Sequence, residues 1–255
     1  MSDPSATRGV ALITGAGRRI GRALALAMAG AGFDIALHCN ASCADAESAA
    51  AEIAALGRKA RVLRADLANE SEVRALVAAA QEALGPVTLL INNASVFQDD
   101  RIETLTSDTW RAHMEVNLHA PLLLSQGFAA ALAEGRSGLI LNILDQRVWN
   151  LNPQFFSYSL SKAALWMATR TMAQGLAPRI RVNGIGPGPT LRSIHQTPEL
   201  FQAEAEHTLL QRRATPADIA AAALYLVDAP TVTGQMIAVD GGQHLAWLTP
   251  DIVLP

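Results

Sequence analysis

Residues 10–28 contain an apolar run, a glycine-rich turn and a helical segment in immediate succession. The run VALIT, from Val10 to Thr14, is short and rich in β-branched residues, which is typical of a buried strand. The turn reads TGAGRRIG and ends at Gly21. Its glycines let the backbone approach a pyrophosphate, and the following helix N-terminus favours negative charge. We therefore predict a nucleotide-binding strand–turn–helix unit, with a plain tight turn as the alternative.

Strands and helices continue to alternate along the chain. The predicted strands are residues 10–14, 34–38, 60–65, 87–91, 138–143, 180–182 and 235–239. The predicted helices are residues 20–28, 44–56, 70–84, 107–133, a segment from about residue 153, and 216–227 with Thr215 as N-cap. Asn117 and Pro121 predict an irregularity inside the long helical stretch. This order indicates one α/β domain over residues 1–255, a doubly wound parallel sheet of about seven strands flanked by helices. Residues 190–213 are polar and weakly periodic, and we expect a mobile segment covering the substrate.

Composition restricts the classes of partner. The chain has 255 residues and a net charge of −3, with its charges scattered, so nucleic acid and anionic membranes are not expected as main partners. No apolar run reaches the ~18–20 residues of a membrane span, and the beginning, MSDPSATR, does not resemble a signal peptide. We expect a cytoplasmic protein. Cys39 and Cys43 show no metal-binding spacing and are expected to be packed thiols of a reducing compartment.

The end of the second strand indicates which nucleotide is bound. In a dinucleotide fold this position faces the adenosine ribose, where a carboxylate favours NAD. The sequence there is His38-Cys-Asn-Ala-Ser42, without a carboxylate, and Arg18 and Arg19 lie in the opposite turn. These groups suit a 2′-phosphate and favour NADPH, unless the arginines are solvated and selectivity is loose. Asp66, at the end of the third strand, either accepts from the adenine amino group or caps the next helix.

The segment from Asp145 to Lys162 contains the candidate reaction chemistry. On a helix, Tyr158 and Lys162 lie one turn apart on one face. A lysine at this distance is expected to lower the pKa of the tyrosine, which makes Tyr158 a candidate acid. A surface tyrosine beside a solvated lysine is the alternative, since the spacing alone is common.

Several motifs in this order, TGAGRRIG, NNA at Asn92 to Ala94, Asn117, YSLSK and IGPGPT, resemble the short-chain dehydrogenase/reductase family over nearly the whole chain. The resemblance implies a single Rossmann domain, NAD(P)(H) and a homotetramer. It also implies a catalytic set of Asn117, Tyr158, Lys162 and a fourth residue thirteen positions before the tyrosine.

Two positions depart from the general family and narrow the resemblance. The fourth catalytic position is Asp145 where the family has serine, and Arg19 replaces a glycine of the turn. Together with Ser95 and Phe97, these residues resemble the pteridine reductases and the dihydromonapterin or alternative dihydrofolate reductases. The resemblance implies that Phe97 stacks on a pterin, and that Arg19 reaches the pterin and the cofactor phosphate. Ala41 replaces an arginine found in some members.

The resemblance also implies the remaining site residues. The expected cofactor-binding residues are Gly15, Arg18, Arg19, Ile20, Gly21, Asn40, Ser42, Asp66, Leu67, Asn93, Ala94, Ser95, Tyr158, Lys162, Pro187 and Gly188. The expected substrate-binding residues are Arg19, Ser95, Phe97, Asp145 and Tyr158. Asn117 is expected to hold a water that connects Lys162 to solvent. No metal is expected.

Structural alternatives exist for several of these residues. Phe97 could be a core residue and Asp145 a cap at a strand end. Trp149 either lines the pocket or packs. The apolar tail from His244 to Pro255 either docks over an active site or is disordered.

The expected function is NADPH-dependent transfer of hydride to a dihydropterin or dihydrofolate-like substrate, with Tyr158 as acid. One alternative is a carbonyl reductase for 3-oxoacyl, sugar or other keto substrates. The second is a regulatory protein that binds NADPH without turnover.

Overall fold

The computed structural model describes residues 7–192 and 196–246. Its centre is a seven-stranded parallel sheet in the order β3-β2-β1-β4-β5-β6-β7. The strands are β1 Val10–Ile13, β2 Asp34–Cys39, β3 Ala60–Arg64, β4 Val87–Asn92, β5 Gly138–Ile143, β6 Ile180–Pro187 and β7 Met236–Val239. The Rossmann sheet predicted from the sequence is confirmed.

Helices cover both faces of this sheet. They are α1 Arg19–Gly30, α2 Cys43–Ala55, α3 Glu70–Leu84, α4 Ser107–Met114, α5 Ala120–Ala131, α6 Phe156–Gly175, α7 Pro198–Glu206 and α8 Pro216–Asp228. Short 3-10 turns span Gln146–Val148 and Gln243–Leu245. Because successive strand residues point to opposite faces, Leu12 packs in the core under α3 and α5, whereas Ile13 packs in the core under α1, α2 and α8.

The order of the strands reverses between β1 and β4. Chain crossovers run outward from β1 through β2 and β3 on one side, and from β4 through β7 on the other. In open α/β sheets, ligands bind in the crevice beyond the carboxyl ends of the strands at such a switch point. The segments after Ile13, Cys39, Asn92 and Ile143 are therefore placed together.

The predicted irregularity at Asn117 is confirmed. Residues Glu115–His119 form a π-helical turn between α4 and α5, so the long helical stretch is two helices. Thr215 caps α8 as predicted, in a capping box with Asp218. The segment 190–213 contains the helix α7, which the weak periodicity did not reveal, while residues 193–195 lie outside the described chain.

Two boundaries were wrong. β6 extends over eight residues to Pro187, because its glycines fit between neighbours: a Cβ on Gly184 would lie 2.4 Å from Leu144 Cδ1. The central helix α6 begins at Phe156 rather than near Pro153, since Phe155 has a left-handed backbone with φ 53°.

The expectation of free thiols was also wrong. Cys39 ends β2 and Cys43 begins α2, and the tight turn between them brings their Cα atoms to 5.3 Å. This distance suits a disulfide, and the two sulfurs are bonded in the structure.

Among residues 7–192 and 196–246, no helix combines the length and apolarity needed to cross a bilayer. The same residues contain no cluster of three or more histidine, cysteine or acidic side chains suited to hold a metal.

Candidate active site

The glycine-rich turn between β1 and α1 leaves no room for side chains. A Cβ on Gly21 would lie 2.0 Å from the carbonyl oxygen of Gly15, and Gly15 itself has φ 63°. The buried His38 fixes the turn, because its Nδ1 accepts from the Gly15 backbone N–H at 3.1 Å and its Nε2 lies 3.0 Å from the Ala65 carbonyl. Burial lowers the pKa of His38, so the ring is neutral and its Nε2 carries the proton.

A cavity of about 470 Å³ extends from this turn toward β2 and β3. It is lined by the predicted cofactor residues Gly15, Arg18, Arg19, Ile20, Gly21, Asn40, Ser42, Asp66, Leu67, Asn93, Ala94 and Ser95. It is also lined by His38, Ala41, Val96 and Val116, which the sequence analysis did not assign to it. Because backbone N–H groups at a helix start lack intrahelical partners and the helix dipole is positive there, the start of α1 favours an anion.

The end of this cavity that follows β2 contains neutral donors and one arginine. Asn40 and Ser42 line it, and Arg18 is exposed there, 3.4 Å from Asp45. Asp66 accepts from the backbone N–H of Ala68 at 2.9 Å, and Asn69, not Asp66, is the N-cap of α3. The helix-capping alternative for Asp66 is therefore wrong.

A second cavity of about 250 Å³ adjoins the first and shares four wall residues with it, Arg19, Ile20, Asn93 and Ser95. Its other predicted members are Phe97, Asp145, Tyr158, Lys162, Pro187 and Gly188. The polar residues that the sequence analysis did not place are Gln146, Arg147, Thr190, Gln196, Glu204 and Gln243.

Asp145 and Tyr158 are hydrogen-bonded inside this cavity. The Tyr158 hydroxyl donates to Asp145 Oδ2 at 2.9 Å, and both residues are buried. Burial, followed by the charge and hydrogen bond of Asp145, raises the pKa of Tyr158 well above its ordinary value. The expectation that Lys162 lowers this pKa is wrong, because burial and the neighbouring carboxylate stabilise the protonated phenol.

Lys162 lies one turn along α6 from Tyr158, and its ammonium bonds the backbone of β5. Its ammonium donates to the Ile143 carbonyl at 2.8 Å and lies 5.7 Å from the centre of the Tyr158 ring. Burial lowers the pKa of Lys162 to about 8, while Asp145 opposes this change. The lysine is thus a buried cation near its titration point at neutral to mildly basic pH.

Asn117 uses its side chain to hold the loop after β4. Its Oδ1 accepts from Ser95 Oγ at 3.1 Å and from the Val96 N–H at 2.8 Å. Its Nδ2 donates to the Val96 carbonyl and to Ser161 Oγ on α6. The π-helical turn therefore presents Asn117 as a clamp between this loop and α6.

A buried polar network fixes the continuation of that loop. The hydroxyl and backbone N–H of Ser157 both donate to the Asp100 carboxylate. His113 lies 2.7 Å from Ser157 Oγ through Nδ1, and its Nε2 accepts from the Gln98 N–H at 3.1 Å. Burial lowers the pKa of His113, consistent with a neutral ring in this network. The network aligns residues 97–100 with the start of α6.

Phe97 lines the cavity and is not a core residue. Its ring stacks on Phe155 with centroids 4.1 Å apart, and Tyr158 meets it edge-on at 4.7 Å. The Arg147 guanidinium lies 5.8 Å from the Phe97 ring centre and 3.3 Å from Asp145 Oδ2. Asp145 also accepts from the Arg147 N–H, so the strand-end cap and the contact with Tyr158 coexist.

The two remaining alternatives have different outcomes. Trp149 packs against Trp166 and His244 and is not among the cavity walls. Of the tail, residues 244–246 are described, and the Ala246 carbonyl accepts from Asn150 Nδ2 at 3.3 Å. Residues 247–255 lie outside the described chain.

Comparison with known proteins identifies clear relatives. A sequence model of the family described as short chain dehydrogenase matches residues 9–203. A 7alpha-hydroxysteroid dehydrogenase from Escherichia coli (strain K12) is 38% identical over 239 residues, covering 91% of this chain and 92% of that protein. A galactitol 2-dehydrogenase (L-tagatose-forming) from Cereibacter sphaeroides is 37% identical over 250 residues, covering 93% of this chain and 95% of that protein.

Solved structures are also similar. FolM alternative dihydrofolate reductase 1 from Brucella canis, crystallised with NADP, has a TM-score of 0.93 and 48% identity, covering 99% of this chain and 100% of that one. FolM alternative dihydrofolate reductase 1 from Brucella suis, also with NADP, has a TM-score of 0.92 and 50% identity, covering 96% and 99%.

Proposed function

Because the chain belongs to the short-chain dehydrogenase family, we propose that it is an NADP-dependent oxidoreductase that transfers hydride to a dihydropterin-type substrate. The two FolM structures support the cofactor, since both contain NADP and share about half of their residues with this chain. Their description as alternative dihydrofolate reductases supports the substrate class.

The shape of the first cavity fits a dinucleotide. Gly15 and Gly21 leave its backbone open, as a pyrophosphate requires, and neutral donors with Arg18 occupy the place of a ribose-binding carboxylate. When bound, NADPH supplies the hydride. Four residues of the second cavity, Tyr158, Lys162, Pro187 and Gly188, would hold its nicotinamide end.

The observation that carries the pterin assignment is the Asp145–Tyr158 hydrogen bond in the same cavity as Phe97. A simple ketone needs one proton donor at one oxygen. A pterin presents adjacent ring nitrogens and an aminopyrimidine edge, which offer both donors and acceptors. A carboxylate beside the tyrosine accepts from such an edge, while Phe97 provides the flat apolar surface that an aromatic ring stacks on.

Four residues of this chain have separate roles in the proton transfer. Tyr158 retains its proton because of burial and Asp145, so it acts as an acid when the substrate accepts that proton. Asp145 orients the hydroxyl and accepts from the substrate. Lys162 places a positive charge beside the tyrosine ring as negative charge develops on the phenol. Arg147, paired with Asp145, limits the repulsion between that carboxylate and the developing charge.

Binding of a pterin in the presence of NADP⁺ tests the proposal. Phe97→Leu is expected to weaken dihydrobiopterin binding about three- to tenfold, because a stacked aromatic pair contributes about 0.5–1.5 kcal/mol. Phe97→Trp keeps a flat ring and is expected to bind within about twofold of wild type. Quenching of intrinsic fluorescence on titration gives both affinities. Equal affinities for the leucine variant and wild type would contradict the stacking role.

A second candidate is favoured by the curated relatives. The hydroxysteroid and galactitol dehydrogenases named above act, by their descriptions, on alcohol groups, and each covers more than nine tenths of this chain. A carbonyl reductase would use the same Tyr158 and Lys162 but would need neither Asp145 nor the stacking surface of Phe97.

The assembly and location are proposals as well. We propose a homotetramer in the cytoplasm, and exposed apolar side chains support the assembly: Trp110 on α4, and Leu160 and Met167 on α6. Light scattering tests the assembly by the mass in solution, with a mass near the 27.0 kDa of one chain as the contradicting result. Cell fractionation tests the location.

A further inference from the structure

The walls of the smaller cavity carry a polar cluster that the reaction chemistry does not use. We call it the α7 carboxylate cluster: Glu204 with Gln196 and Gln243. Gln243 Nε2 donates to Glu204 Oε1 at 2.9 Å, and Gln196 Nε2 donates to Glu204 Oε2 at 2.6 Å. All three residues line the cavity that contains Tyr158. They come from α7, the segment before it and the 3-10 turn after β7, whereas the reacting groups come from the end of β5 and from α6.

Glu204 forms no ion pair with another residue in the part of the chain that the structure describes. Within residues 7–192 and 196–246, every salt bridge joins other residues. The two arginines that line the same cavity have other partners: Arg19 donates to the carbonyls of Leu191 and Arg192, and Arg147 pairs with Asp145. Two arginines of the neighbouring segments also have other contacts. Arg192 donates to the Gln196 carbonyl, and Arg213 lies 5.3 Å over the Phe201 ring. Two amide donors orient the carboxylate but leave its negative charge in place.

Hydrogen bonds anchor the segments that carry this cluster. Asn150 donates to the Gln243 carbonyl, which ties the 3-10 turn to the loop after β5. Arg19 donates to the carbonyls of Leu191 and Arg192, which ties the nucleotide-binding turn to the segment that leads into α7. The carboxylate is therefore presented to the cavity by elements anchored on both sides of it.

A cavity of about 250 Å³ is small for a ligand site, so a substrate with its ring beside Tyr158 presents its substituent to the remaining walls. A hydroxyl there donates to Glu204 in a charge-assisted hydrogen bond and accepts from the glutamine amides. A carboxylate or phosphate there is repelled by Glu204. We propose that Glu204 is a specificity-determining residue that selects an uncharged, hydroxyl-bearing substituent over an anionic one. This inference rests on the proposed function, because it assumes that a pterin ring lies beside Tyr158.

The test compares two dihydropterins that differ in the charge of their substituent. Dihydromonapterin carries hydroxyl groups, and dihydrofolate carries the carboxylates of a glutamate. In Glu204→Gln, kcat/KM for dihydrofolate is expected to rise about threefold and that for dihydromonapterin to fall about threefold, so their ratio changes about tenfold. The wild-type preference is also expected to shrink as salt is raised to about 1 M, because screening weakens repulsion.

A matched control lies on the same helix. Glu206 is exposed, bonds only Gln202 in the described contacts, and does not line the cavity. Glu206→Gln is expected to leave the ratio within about twofold of wild type. Equal losses on both substrates in Glu204→Gln would show a structural role and overturn the inference.

Failure of the proposed function is distinguishable from failure of this inference. If neither dihydropterin is turned over, the pterin assignment is wrong. Selection by charge is then tested with carbonyl substrates instead. Acetoacetyl-coenzyme A is then compared with uncharged ethyl acetoacetate. A tenfold change in that ratio in Glu204→Gln supports charge selection, and an unchanged ratio overturns it.

Discussion

Tyr158 Oη lies 2.9 Å from Asp145 Oδ2, so the residue expected to give up a proton donates its hydroxyl to a carboxylate. The two side chains come from adjacent elements, the end of β5 and the first turn of α6. Their contact keeps the phenol protonated and fixes its direction. A substrate that replaces or extends this hydrogen bond therefore contacts a tyrosine that is already protonated and oriented.

Removal of the acid tests this relationship. Tyr158→Phe is expected to lower kcat by about 10²–10⁴, the usual contribution of a positioned acid, while NADPH binding stays within about twofold. Steady-state rates and fluorescence titration with NADPH measure the two effects. Tyr225→Phe is the control, since Tyr225 is an exposed residue of α8. Full turnover in Tyr158→Phe would exclude this residue as the acid.

The carboxylate is tested by the residue that the general family has in its place. Asp145→Ser is expected to lower kcat/KM for dihydropterins at least about tenfold more than that for simple ketones, because serine orients the tyrosine but does not accept from an aminopyrimidine. The measurement is kcat/KM for one substrate of each kind. Equal losses on both kinds would remove the reason for assigning a pterin.

The nucleotide turn offers a pair of matched glycines on one helix. Gly21→Ala places a Cβ 2.0 Å from the Gly15 carbonyl, so we expect NADPH affinity to fall at least about tenfold and the free energy of unfolding to fall by about 2 kcal/mol. Gly30→Ala meets nothing within 4 Å, and we expect it to be neutral or stabilising by about 0.5–1 kcal/mol. Calorimetric titration and urea unfolding measure both. Similar behaviour of the two variants would contradict the packing argument.

Cofactor preference is tested at the end of β2. Asn40 lines the cavity beside Ser42, and Asn40→Asp supplies the carboxylate that binds a ribose hydroxyl and repels a phosphate. The ratio of kcat/KM for NADPH to that for NADH is expected to fall at least about tenfold. Gln126→Glu, on the exposed side of α5, adds the same charge away from the cavity and should leave the ratio unchanged. If the preference for NADPH is unchanged in Asn40→Asp, Arg18 would be the main residue that recognises the 2′-phosphate.

The lowered pKa of Lys162 makes the free energy of unfolding depend on pH. Its pKa is lowered from 10.5 to about 8, so between these values the folded protein has released a proton that the unfolded chain retains. Stability therefore rises with pH through this window. The free energy of unfolding of the wild type relative to Lys162→Met is expected to increase by about 2 kcal/mol between pH 7 and pH 9.5.

Urea unfolding of the protein without cofactor measures this difference at each pH. Lys59→Met is the control, because Lys59 is exposed, and its difference from wild type should not change with pH in this way. A flat difference for Lys162→Met would mean that Lys162 is not destabilised by burial.

Local sequence signals were enough for most of the fold. The apolar runs located six of the seven strands within two residues at each end, and Thr215 with Asp218 marked the start of α8. β6 was underestimated because glycine and proline rarely continue a strand, and only the neighbours Leu144 and Met236 explain why they do here. The bond between Cys39 and Cys43 depends on the turn geometry after β2, which their spacing alone does not give.

Those site residues that belong to one short sequence motif could be predicted from the sequence. The cofactor-binding residues that the family resemblance implies for the first cavity lie at strand ends and in the glycine turn, and they line that cavity together. Arg147 and Glu204 were missed because their relevance arises from tertiary contacts, with Asp145 and with the glutamines of distant segments. The sign of the Tyr158 pKa was missed because it depends on which charged neighbour reaches the hydroxyl: Asp145 reaches it and Lys162 bonds the backbone.

NADPH oxidation by the pure protein against a substrate panel tests the central claim most directly. The panel contains dihydrobiopterin, dihydromonapterin, dihydrofolate, an acetoacetyl thioester and several simple ketones. We expect kcat/KM for at least one dihydropterin to exceed that for every carbonyl substrate by about tenfold or more. Selective turnover of the carbonyl substrates would preserve the fold and the role of Tyr158 but contradict the pterin site formed by Asp145 and Phe97.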